Sequence, residues 1–292
     1  MDKIKILLDT DIGTDIDDAV CLAYLLAQPR CELLGITTVT GEAQKRAQMA
    51  SVLCRAAGRA VPICAGAETP LLIEQRQTQA AQAVAVDRWP HDANFPPGQA
   101  VPFLRETIRQ HPGEIVLLTI GPLSNIGLLF AEDPEIPRLL KALVTMGGWF
   151  NNKTAGLGPL EWNAIGDPHA TAIVYRHAVA RHRSIGIEIT GLVSLPAEEI
   201  RRRFTVPLLR PVLDFAEVWF RGMNRLYFHD PLAAATIFND DICAFERGAA
   251  EVELISPKLM GMTHWKADAA GRHEAAVAVN CDAFFAEYFS VF

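Results

Sequence analysis

Five carboxylates fall within ten consecutive positions in the segment Asp9-Thr10-Asp11-Ile12-Gly13-Thr14-Asp15-Ile16-Asp17-Asp18. The segment follows the apolar run Ile4-Lys5-Ile6-Leu7-Leu8 and leads into Ala19-Val20-Cys21-Leu22-Ala23-Tyr24-Leu25, a pattern that predicts strand, loop and helix. A helix N-terminus attracts acidic side chains through its unpaired N–H groups and dipole, which would account for one or two of the five. The rest repel one another unless protons or a cation neutralise them. An all-oxygen cluster suits a hard cation, Ca²⁺ or Mg²⁺, rather than zinc. Such an ion could lower the pKa of a bound water and make it a nucleophile.

Three familiar loops do not fit. An EF-hand counted from Asp9 would need Gly and Glu where Thr14 and Val20 stand. The aspartyl-nucleophile phosphatases use DxDx(T/V), whose fifth position is here Gly13. No Walker lysine or GxGxxG accompanies the loop. Further along the chain stand Ile120-Gly121-Pro122-Leu123-Ser124-Asn125, Met146-Gly147-Gly148, Glu161-Trp162-Asn163 and Phe228-His229-Asp230-Pro231. Asp-Pro occurs at Asp133, Asp167 and Asp230. At Asp133 and Asp167 it reads as a helix N-cap with proline in the first turn. Glu161 and Asn163 would share one side of an extended chain.

Together these segments resemble the nucleoside hydrolases, calcium-dependent enzymes that cleave the N-ribosidic bond of nucleosides. The acidic loop is similar to the family's DxDxGxDD signature, with two extra residues between the glycine and the Asp pair. Asp9 and Asp11 match the first two aspartates, Asp17 and Asp18 the pair, and Asp15 lies in the insertion. Ile36-Thr37-Thr38-Val39-Thr40-Gly41 is similar to ITTVxG, and Ile120 to Asn125 to TGPLTN. Met146 to Asp167 is similar to MGG…EFN…DP, and Phe228 to Pro231 to (V/L)HDP. Two departures stand out: Glu42 follows Gly41 where the family usually has Asn, and the HGxxG loop of the base pocket is absent. Arg88-Trp89-Pro90-His91-Asp92 occupies that region, where Trp89 or His91 could meet a base, or Trp89 could pack in the core or a lid.

The resemblance implies one Ca²⁺ held by Asp11, Asp18, Asp230 and the main-chain carbonyl of Ile120. Asp11 would be the general base and His229 the group facing the leaving base. Asp17, Glu161, Asn163 and Asn152 would hold ribose hydroxyls. It also implies a homo-oligomer, dimer or tetramer. A phosphatase with Asp9 as nucleophile and a binder of nucleosides or sugars without turnover stay open as alternatives.

The elements that must position these residues read as one α/β domain over residues 1–292, with a mainly parallel central sheet flanked by helices, Rossmann-like, and a helix-rich later part at Pro196 to Phe228. Lys3 to Asp9, Cys31 to Val39, Val61 to Cys64, Glu114 to Thr119, Ala142 to Met146 and Ser184 to Ile189 read as buried strands. Helical patterns lie at Asp17 to Ala27, Glu42 to Ala57, Phe103 to His111 and Pro168 to His177, and Gln75 to Gln99 reads as a loop, irregular towards its end. Val277 to Asp282 is loosely similar to the family's closing strand. In such sheets ligands bind at the carboxyl ends of the strands.

With half its residues hydrophobic, the 292-residue chain is not disordered. Its net charge of −7 and lack of a basic run argue against nucleic acid or an anionic membrane as partner. No secretory signal is recognisable after Met1-Asp2-Lys3, and six cysteines lack any CxxC spacing, which points to reduced core thiols and a cytoplasmic protein.

Overall fold

The computed structural model describes residues 3–150 and 157–292. The short apolar runs fold as strands. They are β1 (Ile4–Thr10), β2 (Cys31–Thr38), β3 (Ile63–Ala65), β4 (Ile115–Thr119), β5 (Ala142–Met146) and β6 (His182–Ile185). The fifth run matches β5 end to end. The sixth was expected to extend to Ile189, but β6 stops before Gly186 and Ile187–Thr190 forms a helical turn. An apolar run of this length does not distinguish a strand from a buried turn of helix.

The strands after β6 are β7 (Ser194–Pro196), β8 (Arg225–Tyr227), β9 (Cys243–Val252), β10 (Thr263–Ala267) and β11 (His273–Val279). The main sheet has nine strands in the order β10-β9-β11-β6-β5-β4-β1-β2-β3. From β11 to β3 every neighbouring pair is parallel, and β9 alone runs against its two neighbours. The expected mainly parallel sheet is therefore present, with an antiparallel wing added. The helix-rich later part holds helices Ala197–Arg203 and Leu209–Trp219, bracketed by the antiparallel pair β7-β8.

Both faces of the sheet are buried. In β1, Ile6 and Leu8 enter one apolar core while Leu7, pointing the other way, enters a second. The helix Asp17–Ala27 follows β1 as expected and is buried along most of its length. Ala43–Ala56, Ala100–Gln110 and Pro168–Arg176 form the other flanking helices. All six cysteines are free, and Cys21, Cys31, Cys54 and Cys243 are buried. Among the described residues no helix is long and apolar enough to cross a membrane.

The chain leaves β1 towards β2 and β3 on one side, then returns to place β4, β5 and β6 on the other. The order reverses at β1, and the crevice at its carboxyl end, against β4, is where such sheets open a ligand site.

Candidate active site

The acidic loop begins at that crevice. Asp9 sits in register with Thr37 of β2 and Thr119 of β4, and the Ile120 N–H donates to the Asp9 carbonyl at 2.9 Å. The turn after β4 therefore lies directly on the start of the loop. Gly121 makes the approach possible: a Cβ there would sit 2.8 Å from Asp11 Oδ1 and 2.9 Å from its backbone nitrogen.

The helix then starts at Asp17, with Ile16 at the capping position and no side chain capping it. Asp17 and Asp18 are buried in the first turn. Asp230 arrives from the short helix His229–Ala235, and its N–H donates to Asp17 Oδ2 at 3.3 Å. One carboxylate oxygen from each of Asp17, Asp18 and Asp230 lies within 4.8 Å of the other two. Thr10 Oγ1 donates to Asp18 Oδ1.

Burial, followed by repulsion from nearby acids (Asp15 on Asp17, Asp11 and Asp17 on Asp18, Asp17 and Asp18 on Asp230), holds the Asp17, Asp18 and Asp230 carboxyls well above the usual carboxylate range. Asp11 is raised as well, chiefly by burial, and Arg46 is the main opposing influence. Arg46 is fully buried, but its guanidinium faces oxygen dipoles. It donates to the carbonyls of Gly41 at 2.9 Å and Ile12 at 3.1 Å, to the Asp11 carbonyl, and to Thr14 Oγ1 at 3.2 Å. It holds the loop's backbone and leaves the acids crowded.

These acids open onto a cavity of about 430 Å³. Asp11, Asp15, Asp17, Asp18 and Asp230 line it, together with Ile120, Glu161, Asn163 and His229. The volume suits a small organic ligand. Glu161 has an extended backbone, but Asn163 lies in a helix, so the two do not share one side of an extended chain. Glu161 caps the short helix Trp162–Gly166, accepting from the N–H groups of Asn163 at 2.8 Å, Ala164 at 2.9 Å and Gly148 at 2.9 Å. Burial pushes its pKa up to about 7 against those three donors. Asn163 donates from its amide to the carbonyls of Ile120 at 2.9 Å and Met146 at 3.1 Å, joining the ends of β4 and β5. The partly buried His229 ring stacks on Tyr227 with 5.4 Å between centroids, and its Nδ1 lies 2.7 Å from Thr190 Oγ1. Burial lowers its pKa to about 4, so the ring is uncharged at neutral pH.

The structure thus brings together Asp11, Asp17, Asp18, Ile120, Glu161, Asn163, His229 and Asp230, while Asn152 lies outside the described residues. Asp17, expected at the ribose, belongs to the tightest carboxylate group, and Asp11 stands beside that group in the cavity wall. Asp9 does not face the cavity. It is fully buried, with Oδ1 accepting from Thr37 Oγ1 and, at 2.7 Å, from Asn125 Nδ2, which removes the basis for a phosphatase nucleophile.

Other expectations divide. Trp89 packs against the apolar core, one of its two readings, and its indole donates to Asp214 at 3.0 Å, while His91 Nδ1 lies 2.9 Å from the Trp89 carbonyl; neither residue lines the cavity, so neither meets a base there. Trp162 and Trp219 supply the aromatic wall instead. Glu42 turns away from the acids, pairing with Lys45 at 2.6 Å and accepting from the Ala80 N–H at 2.9 Å. Asp167 does cap the helix Pro168–Arg176, through the Ala170 N–H. Asp133 instead ends the helix Ser124–Glu132 and pairs with Arg109 at 2.8 Å.

The donor chemistry fits a divalent metal: three buried carboxylates converge, each penalised by burial and by its neighbours, and all offer oxygen. A family model described as inosine-uridine preferring nucleoside hydrolase matches residues 6–286. The chain belongs to this nucleoside hydrolase family. The nucleoside hydrolases are metal-dependent, and the Asp17-Asp18-Asp230 group offers ligands for one ion.

Among curated relatives, the inosine-uridine preferring nucleoside hydrolase of Leishmania major is 30% identical over 279 residues, covering 89% of this chain and 86% of its own. The non-specific ribonucleoside hydrolase RihC of Escherichia coli (strain SMS-3-5 / SECEC) is 32% identical, covering 82% of this chain and 81% of its own. Of solved structures, the purine-preferring ribonucleoside hydrolase from Gardnerella vaginalis superposes with a TM-score of 0.85 at 21% identity, covering 98% of this chain and 97% of its own. That likeness establishes the nucleoside hydrolase fold.

Several participants were not singled out in the sequence. Gln77 and Thr14 line the cavity, and Arg46 braces its acidic loop. Arg46 alone carried a signal, being a charge on the buried face of an amphipathic helix.

Proposed function

We propose that this nucleoside hydrolase cleaves the N-ribosidic bond of free nucleosides, releasing base and ribose, with Ca²⁺ as its metal. The observation that carries the reading is the convergence of Asp11, Asp17, Asp18 and Asp230 on one cavity large enough for a nucleoside. Asp11, Asp18, Asp230 and the Ile120 carbonyl would hold the ion, with Asp17, whose carboxylate converges on Asp18 and Asp230, beside it. When bound, the ion supplies a water of lowered pKa and relieves the repulsion among the acids.

Breaking the C1′–N bond builds positive charge on the sugar ring, as in glycoside hydrolysis. Asp11 takes the proton of the attacking water. Asp17, Glu161, Asn163 and Asn152 orient the ribose hydroxyls, recruiting binding energy to reach the transition state. His229, uncharged before reaction, stands toward the leaving base. As the C1′–N bond breaks, its electron pair passes to the base, and His229 hands on to the base nitrogen a proton that its ring takes from solvent. Trp162, Trp219 and Ile187 give the base a largely apolar wall.

The test is release of reducing ribose from a panel of purine and pyrimidine nucleosides, using calcium-replete protein beside a chelator-treated control. Metal-dependent release supports the reading and identifies the preferred base. Metal-bound protein that releases no ribose from any nucleoside overturns it.

A further inference from the structure

Within Arg76-Gln77-Thr78-Gln79, Arg76, Thr78 and Gln79 are exposed and Gln77 alone is buried. Its side chain reaches into the cavity wall, where its amide nitrogen donates to Asp11 Oδ2 at 2.9 Å and Thr14 Oγ1 at 2.8 Å. Its amide oxygen accepts from the Trp162 indole N–H at 2.7 Å. An indole nitrogen can only donate, so the Gln77 oxygen must face Trp162 and both amide hydrogens are directed at Asp11 and Thr14.

The segment behind Gln77 is fastened to the scaffold. Glu42 accepts from the Ala80 N–H at 2.9 Å, Arg46 donates to the Gln79 carbonyl at 3.3 Å, and the Gln82 N–H donates to the Gly13 carbonyl at 2.9 Å. It also presses on Gly41, where a Cβ would lie 2.7 Å from Thr78 Cα and 2.8 Å from the Gln77 carbonyl oxygen. Glu42, which follows a glycine in the position where the family usually has Asn, thus secures the segment that delivers Gln77.

We propose that Gln77 is a positioning residue for Asp11, held in its orientation by Trp162. The inference rests on Asp11 being the general base. A carboxylate rotates over a broad, two-fold torsional profile that makes its oxygens equivalent. A fixed donor on Oδ2 ends that equivalence and presents Oδ1 to the reacting water in one orientation. Trp162 is 48% exposed and lines the cavity, so a substrate resting on the indole bears on the same hydrogen-bonded chain. Occupancy of the aromatic wall and alignment of the base are thereby coupled.

The test is a double-mutant cycle with Gln77→Leu and Trp162→Phe, which remove the amide and the indole N–H while keeping apolar volume and an aromatic ring. Gln77→Leu is expected to lower kcat about tenfold to a hundredfold, the range for a misplaced catalytic group, with KM changed less than about threefold. Trp162→Phe is expected to lower kcat less, and the double variant to match Gln77→Leu rather than multiply the two losses. An unchanged kcat, a rise confined to KM, or multiplied effects would overturn the proposal.

A second readout does not need turnover. The ¹⁵N-indole resonance of Trp162, assigned through its loss in Trp162→Phe, should move in Asp11→Asn. A stationary resonance would sink the proposed chain even if Gln77→Leu fails to fold. If the wild-type protein released no ribose, the functional reading would fall while this resonance still decided the positioning role.

Discussion

Two regions of this molecule bury titratable side chains, and they do so on opposite terms. Between β6 and β11, His182, His273 and Tyr175 pack ring against ring, with His182 and His273 centroids 5.1 Å apart. His273 Nδ1 accepts from the Ala250 N–H at 3.0 Å, Nε2 meets the Tyr175 carbonyl at 3.1 Å, and Tyr175 Oη bonds Ser184 Oγ at 2.7 Å. Burial lowers both histidine pKa values; a neutral His273 meets a partner at each ring nitrogen, while His182 keeps its buried Nδ1 without a hydrogen bond and is held by ring packing. At the end of β1, burial raises carboxyl pKa values, and the charges of Asp11 and Asp17 push Asp18 higher while those of Asp17 and Asp18 push Asp230 higher. Shedding charge suits the first region, where the rings pack as apolar groups. In the second it would remove the donor set that a cation needs. The comparison separates a buried polar network built for packing from one built for a ligand.

The sharpest test of that division is Asp11→Asn. It should lower turnover by roughly a thousandfold, within the range for a lost general base, while raising the melting temperature of the metal-free protein by relieving repulsion. Ribose release and thermal melts measured on one preparation would check both. A variant that melts lower without metal, or retains turnover, breaks the contrast.

Metal removal comes next. A chelator should lower the melting temperature, with about 2.7 kcal/mol of stabilisation expected from an ion at a hundred times its Kd. The difference should widen from pH 5 to pH 8, because protons compete for the same oxygens.

The metal-free protein should also show opposing pH effects. Asp9 and Glu161 are raised to about 7 and Asp15 to about 6, so the folded state binds more protons than the unfolded state between roughly pH 4 and pH 7. Their contribution is lost as pH rises through that window. His182 and His273 lie below 6.5, so their contribution is present above that pH and lost as pH falls. Chelated protein melted from pH 4 to pH 8 should pass through a stability maximum, where a monotonic rise would contradict the acid half of the comparison.

The smallest effect is Tyr175→Phe, which deletes one bond to Ser184. A loss of about 1 kcal/mol, or roughly 2 °C in melting temperature, is expected with kcat unchanged. A large loss of turnover would mean that the histidine region is not merely structural.

Much of this was legible in the chain. β1, β5 and the helix Asp17–Ala27 were apparent because their buried stretches, Ile6 to Leu8, Ala142 to Met146 and Ala19 to Leu26, are almost continuously apolar. β9 and β10 were not, since Cys243–Val252 and Thr263–Ala267 are half exposed and carry Glu246, Arg247, Glu251 and Lys266. Their strand state is supplied by neighbouring strands. Most of the cavity's acids were visible as a local cluster, whereas Gln77 was one glutamine among several, identified only by partners 66 and 85 positions away. Trp162 stands inside the Glu161-Trp162-Asn163 motif, but nothing local foretells its indole hydrogen bond to Gln77, 85 positions away. Glu42 stands out in the sequence after Gly41, but its role depends on the Ala80 N–H that the fold brings to it from 38 positions away.

Asp17 and Asp230 touch across 213 positions of sequence. In the proposed holoprotein the ion is therefore a reversible cross-link, closing a chain loop far longer than most disulfides close. The metal site cannot be completed until the synthesised chain has passed residue 230 and that segment has docked. Ion uptake would then report a finished fold, and unfolding of the mature enzyme would wait on the ion's release.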